Sequence, residues 1–189
     1  MMRAFIAVEL PEDVRAALAG LQRTLQAARA DVRWVEQKNL HVTMRFLGEI
    51  STQQRIAAGE VVRAVAERHA PIRVQLTELG AFPSPAAPRV IWAGIGDGAL
   101  ELAQVVKDAE EGLQPLGLPK EDRPFVAHVT LGRAKSPKYQ PQLSRCLQET
   151  AWQAPGPFTV GHLTLFESVL AGDGPTYVPL LQALFADGR

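Results

Sequence analysis

A histidine followed two residues later by a threonine occurs at His41-Val42-Thr43 and again at His128-Val129-Thr130, 87 residues further on. An extended strand sends alternate side chains to opposite faces, so His41 and Thr43 would share one face while Val42 and Met44 enter a core. The second copy reads alike, with His128 and Thr130 on one face and Val129 and Leu131 on the other. Such a chain must build two strands that are each polar on one side and apolar on the other, and the doubling predicts that the two polar sides meet in one site. Two facing imidazoles can act as acid and base, and two hydroxyls beside them can bind phosphoryl oxygens. This is chemistry for phosphate esters without a metal.

With four histidines in 189 residues, chance supplies only about 0.2 His-X-Thr triplets, and three occur. The third is His162-Leu163-Thr164, inside the alternating run Phe158, Val160, His162, Thr164, Phe166. The first two copies share a polar or proline-containing approach and each runs on into an arginine, Arg45 or Arg133; His162 has no such company. It is expected as a strand histidine of the second half, near the site or on the outer surface.

The length allows one domain or two small lobes, and 47% hydrophobic content is enough for a real core. Lys plus Arg and Asp plus Glu both number 20, so the formal net charge of zero removes the broad electrostatic footprint of a protein that grips long duplex nucleic acid. A small or end-bound phosphate ligand stays compatible. The single cysteine, Cys146, excludes an internal disulfide, and one Cys with four scattered His makes no zinc-type cluster. A reducing, cytoplasmic setting is expected. The apolar start breaks at Glu9, Glu12 and Asp13, so neither a signal peptide nor a membrane span is expected.

Along the chain, Arg3 to Leu10 reads as a strand, Pro11 as the start of a helix through Val14, Leu18, Leu21 and Leu25, and Leu40 to Leu47, with Arg33 to Val35, as a strand pair or a bent strand closed by Gly48. Ser51 leads a helix from Thr52 to Arg68, and Ile72 to Leu79 alternates as a strand. Gly80 to Pro88, with three prolines, is the expected connection between halves. Arg89 to Ile95 (strand), Leu100 to Leu113 (helix) and Phe125 to Arg133 (motif strand) repeat the earlier order, which implies duplication. A short helix over Gln142 to Thr150, a strand over Thr159 to Glu167, a Gly172-Asp173-Gly174 turn and a last strand over Tyr177 to Phe185 complete the chain. The expected fold is α+β: one bilobal domain of two pseudo-symmetric lobes, each an antiparallel sheet backed by helices, around a central cleft. The lobes are expected at about residues 1–80 and 89–189, with terminal strands open to exchange between them.

Several segments carry a resemblance to a known family in the family's own order: Arg3-Ala4-Phe5-Ile6-Ala7, Asn39-Leu40-His41-Val42-Thr43-Met44-Arg45-Phe46-Leu47-Gly48-Glu49, Gly80-Ala81-Phe82-Pro83 leading to Val90-Ile91-Trp92, and Arg123-Pro124-Phe125 leading to His128-Val129-Thr130-Leu131. The chain resembles the RNA 2',3'-cyclic phosphodiesterases, also called 2'-5' RNA ligases, of the two-histidine phosphoesterase superfamily. Met44, where Leu is usual, is a departure on the core-facing side. The resemblance implies hydrolysis of a terminal 2',3'-cyclic phosphate to a 2'-phosphomonoester without metal or cofactor, with 2'-5' RNA ligation when an RNA 5'-hydroxyl takes the place of water. It also implies His128 as base and His41 as acid, an order the near-symmetric motifs do not themselves set.

Thr43 and Thr130 are expected to donate to the non-bridging oxygens. Arg45 continues the alternation of His41 and Thr43 onto the cleft face, where it would meet phosphate. Strict alternation sends Arg133 to the opposite face unless a bend or bulge turns it back. Phe46, Trp92 and Phe125 are expected in the core, and Tyr177 is open between core and site. His69 reads as a cation in the last turn of its helix. The expected partner is an RNA end bearing a cyclic phosphate, tRNA fragments among the candidates, and the chain is expected as a monomer without membrane contact. Two alternatives stay open: a non-catalytic RNA-end binding module, which intact His and Thr in both motifs disfavour, and a phosphodiesterase of small cyclic nucleotides or of ADP-ribose cyclic phosphate. A metal-dependent hydrolase lacks a third ligand at any recognised spacing.

Overall fold

The computed structural model describes residues 1–118, 120–171 and 174–186. The order of elements is β1 (Met2–Glu9), α1 (Glu12–Leu25), β2 (Val32–Trp34), β3 (His41–Ile50), α2 (Thr52–Ala66), β4 (Ile72–Val74), β5 (Leu76–Ser84), β6 (Ala87–Ile95), α3 (Ala99–Leu113), β7 (His128–Ala134), α4 (Gln140–Glu149), β8 (Phe158–Val160), β9 (His162–Ala171) and β10 (Gly174–Leu184). This is the expected α+β chain. Pro11, at the N-cap of α1, begins the helix, whose apolar stripe buries Val14, Leu18, Leu21 and Leu25. Leu18 is fully buried, so Leu18→Ala would cost about 2–5 kcal/mol. Ser51 and Gln54 form a capping box at the start of α2, each side chain bonded to the other's backbone N–H, a device worth about 1 kcal/mol.

Eight strands form one antiparallel sheet in which β10, β9, β1, β3, β7, β6 and β5 follow one another, and β2 pairs with β7; β4 and β8 pair separately. The two motif strands, β3 and β7, meet at the centre through Val42 opposite Val129. On one side, β1 and the late strands β9 and β10 extend from β3; on the other, β6 and β5 extend from β7. Taken as β1-α1-β3-α2-β4-β5 and β6-α3-β7-α4-β8-β9, the halves run in parallel order. Each half sends its last strand to the other's sheet, since β5 pairs with β6 and β9 pairs with β1.

Three local expectations are corrected. Gly80 to Pro88 does not link the halves: it forms the end of β5, a tight turn and the start of β6, with Phe82 opposite Val90. Its prolines sit at the end of a hairpin where few ladder bonds are required. β2 does not pair with β3; Val32, Arg33 and Trp34 lie against Ala134, Arg133 and Gly132 of β7. Gly48 does not end β3, which continues to Ile50, with Gly48 at φ 70° within the strand. The expected Gly172-Asp173-Gly174 turn includes residues outside those described. No helix among the described residues is long and apolar enough to cross a membrane.

Candidate active site

The Val42–Val129 pair determines where the motif side chains lie. In an antiparallel pair the residue after one partner faces the residue before the other, so His41 comes beside Thr130 and Thr43 beside His128. The four side chains thus stand about the junction of the strands, with Val42, Met44, Val129 and Leu131 buried beneath, and His128 is near enough to act on the charge of His41. A cavity of about 240 Å³ opens along this face, lined by His41, Thr43, Phe46, Thr130, Arg133 and Tyr177 among others, while His128 stands at its edge outside the lining, against Phe82 and Trp92.

Each histidine is gripped in the same way. His41 Nδ1 lies 2.7 Å from the Asn39 carbonyl oxygen, and His128 Nδ1 lies 2.6 Å from that of Val126. A carbonyl only accepts, so Nδ1 carries a proton in both and Nε2 is the atom presented for chemistry. His41 Nε2 contacts Thr43 Oγ1 at 2.9 Å. Aromatic walls flank both rings. Phe5 and Tyr177 stand 5.1 and 5.3 Å from His41, and Phe82 and Trp92 stand 5.3 and 6.2 Å from His128, centroid to centroid. Gly80 makes room for Trp92, since a Cβ there would lie 2.4 Å from the indole. Trp92 and Tyr177 therefore belong to the walls of the site, and Phe125 packs against the core as expected.

Burial pushes both imidazoles below the ordinary histidine value. For His41 the Asn39 carbonyl and the charge of Glu9 push back upward, and His128 adds to the lowering. For His128 the Val126 carbonyl raises and the Arg133 cation lowers. Burial also raises the Tyr177 hydroxyl. Among the described residues no three His, Cys, Asp or Glu side chains converge to hold a metal ion.

The arginines change places relative to strict alternation. Along β1 and β3, Ala7 faces Thr43 but Ile6 faces Arg45, and Phe5 faces Phe46 but Ala4 faces Gly48, so Met44 and Leu47 are extra residues in β3. The first bulge turns Arg45 away from the cleft. It is 5% exposed and pairs with Glu121 at 3.0 Å and Glu110 at 3.7 Å, so the expectation that it faces phosphate is corrected. The same bulge brings out Phe46, 53% exposed in the cleft rather than in the core. In β7, Trp92 faces Thr130 while Ile91 faces Gly132, leaving Leu131 as the extra residue and turning Arg133 into the cleft. Of the remaining histidines, His69 bonds Asp108 of α3 at 2.9 Å, and His162 lies against Glu9 at 2.9 Å. Glu9 gave no sequence signal because its partners are more than 150 residues away.

Comparison with known proteins agrees with the doubled architecture. Two consecutive stretches, residues 8–92 and 95–177, match the model of LigT-like phosphoesterases. An RNA 2',3'-cyclic phosphodiesterase of Aeropyrum pernix is 36% identical over 165 residues, covering 87% of this chain and 93% of the relative. One from Thermus thermophilus is 34% identical, covering 95% and 88%. The crystal structure of TT0787 of Thermus thermophilus superposes with a TM-score of 0.82 at 29% identity and full coverage of both chains. Escherichia coli LigT, at 24% identity and a TM-score of 0.77 over 98% of this chain and 98% of that one, shares the fold. The chain belongs to the LigT-like phosphoesterase family.

Proposed function

We propose that this chain is an RNA 2',3'-cyclic phosphodiesterase that opens the terminal cyclic phosphate to a 2'-phosphomonoester by paired-histidine catalysis. The observation that supports this reading is the pairing of the two motif strands at Val42 opposite Val129, which by antiparallel geometry brings His41 toward Thr130 and Thr43 toward His128. Opening the ring requires water to bond to phosphorus while the P–O3' bond breaks on the opposite side. His128 Nε2 takes the proton from water and His41 Nε2 gives one to O3'. Thr43 and Thr130 donate to the non-bridging oxygens, and Arg133 meets the phosphate charge from the bulged end of β7. Phe46 offers a face to the terminal base. The same residues act in the same sense when an RNA 5'-hydroxyl replaces water as the attacking group: its proton goes to His128, O3' leaves with the proton of His41, and a 2'-5' linkage forms. The two lobes flank this junction as one working unit. Action as a cytoplasmic monomer on RNA ends, tRNA fragments among them, belongs to the same proposal.

The test is hydrolysis of a short RNA ending in 2',3'-cyclic phosphate in excess EDTA, with the position of the product phosphate determined. Turnover to a 2'-phosphate supports the reaction; loss of turnover in EDTA, or a 3'-phosphate product, contradicts it. Zero net charge leaves a small substrate in play, so a mononucleoside 2',3'-cyclic phosphate is assayed beside the RNA, and preference for it would move the substrate class to small cyclic nucleotides.

A further inference from the structure

The third His-X-Thr copy takes no part in the chemistry above, and its side chains are occupied with a single carboxylate. His162 Nε2 lies 2.9 Å from Glu9 Oε2, Thr164 Oγ1 donates to that oxygen at 3.1 Å, and Gln182 Nε2 donates to it at 3.0 Å. Thr164 is 0% exposed. The donors come from β9 and β10 and the carboxylate from β1, so tertiary structure, and not the local chain, orients Glu9. Burial alone would raise the Glu9 carboxyl, but these hydrogen bonds outweigh it and hold the group below its ordinary value, charged at neutral pH.

Glu9 is the cross-strand partner of His41. Directly opposed residues of an antiparallel pair have side chains on the same face at close range. Both nitrogens of His41 are already engaged, by the Asn39 carbonyl and Thr43, so Glu9 acts on it through charge. The charged or titratable groups around His41 are Glu9 and Arg3 on β1, His128 and Arg133 on β7 and Tyr177 on β10, with His162 of β9 behind Glu9. His128 stands differently. Its cross-strand partner is Gly94, which has no side chain; Glu78 of β5 lies over that glycine, and the cation of Arg133 acts on the ring.

We propose, on the functional reading above, that Glu9 is a positioning residue: held by His162, Thr164 and Gln182, its carboxylate favours the protonated form of His41, supporting His41 as the donor to the departing 3'-oxygen and leaving His128 as the base. The third motif copy thus serves the first at one remove.

The test is an NMR titration of the histidine rings in wild type, Glu9→Gln, Glu9→Asp and Glu78→Gln, with kcat measured against pH on the cyclic-phosphate RNA. In Glu9→Gln the His41 titration moves to lower pH while His128 stays, and the alkaline limb of kcat moves down with it. Turnover at pH 8 falls about fivefold relative to wild type and is nearly unchanged on the acid side. Glu9→Asp restores most of the limb, and Glu78→Gln leaves His41 where it was. A His41 that does not follow Glu9, or a uniform loss of kcat at every pH, overturns the proposal. A wild type inactive on the RNA, in which His41 still follows Glu9, supports the pairing and counts instead against the reaction.

Discussion

The two motif strands carry the same four-residue chemistry in unlike surroundings. β3 and β7 each carry His and Thr at the junction, each holds Nδ1 on a carbonyl two residues upstream, and each bulges just after its threonine. Beyond the bulge they part: β3 turns out Phe46 and buries Arg45, while β7 turns out Arg133 and buries Gly132. Opposite the histidines they part again, with Glu9 facing His41 and Gly94 facing His128. A duplicated scaffold thus supplies two equivalent hands, and the positions next to the motif make one anionic in setting and aromatic in reach, the other cationic. On the proposed reaction, symmetry would provide the opposed geometry that an in-line displacement needs, and broken symmetry would let the two histidines hold different protonation states.

If the shared part carries the transition state, removing either hydroxyl has the largest effect among the neighbours of the histidines. Thr43→Val and Thr130→Val are each expected to lower kcat about 100-fold with KM changed little, as steady-state kinetics would report; unequal losses would show that one hand bears more of the developing charge. The unshared part should act on binding. Arg133→Ala is expected to lower kcat/KM about 30-fold, with Arg133→Lys recovering part of it, because a guanidinium can bond two phosphate oxygens at once. Phe46→Ala is expected to raise KM about fivefold on RNA and leave kcat in place, the loss of one stacked base. The comparison also has a pH form. Burial and Arg133 hold His128 below 6.5, so a base that must be unprotonated stays active as pH falls through that value, and the acid limb of kcat/KM lies below 6.5. An acid limb above that value would place another group in the role. The smallest kinetic effect belongs to Arg45→Met, which should leave kcat and KM near wild type while lowering stability by about 1 kcal/mol in denaturant unfolding, since it removes the ion pairs to the solvent-accessible Glu110 and Glu121. A kinetic loss comparable to that of Arg133→Ala would return Arg45 to the site.

The elements that position the site were legible because short-range rules govern them. The period of two in His41 to Met44 and His128 to Leu131, the helical stripe from Val14 to Leu25 and the Ser51 cap each lie within a few residues of their cause. What lay hidden depends on pairing between distant strands. A bulge is a count of residues against a partner strand, so neither Met44 nor Leu131 announces itself, and one residue of slip reverses the facing of Arg45, Phe46 and Arg133. The prolines of Gly80 to Pro88 signalled a break in pairing and marked the tip of a hairpin instead. Likewise the partners of Glu9 become visible only once β9 is laid against β1.

Whether the two motifs form one composite site is tested most directly by a double-mutant cycle on a cyclic-phosphate RNA, comparing wild type, His41→Ala, His128→Ala and the double variant. Each single variant is predicted to lose about 1,000-fold or more in kcat, with the double variant losing little beyond either one, because acid and base act as a unit. Single variants that each keep a substantial share of activity, with losses that multiply in the double variant, would contradict a shared site.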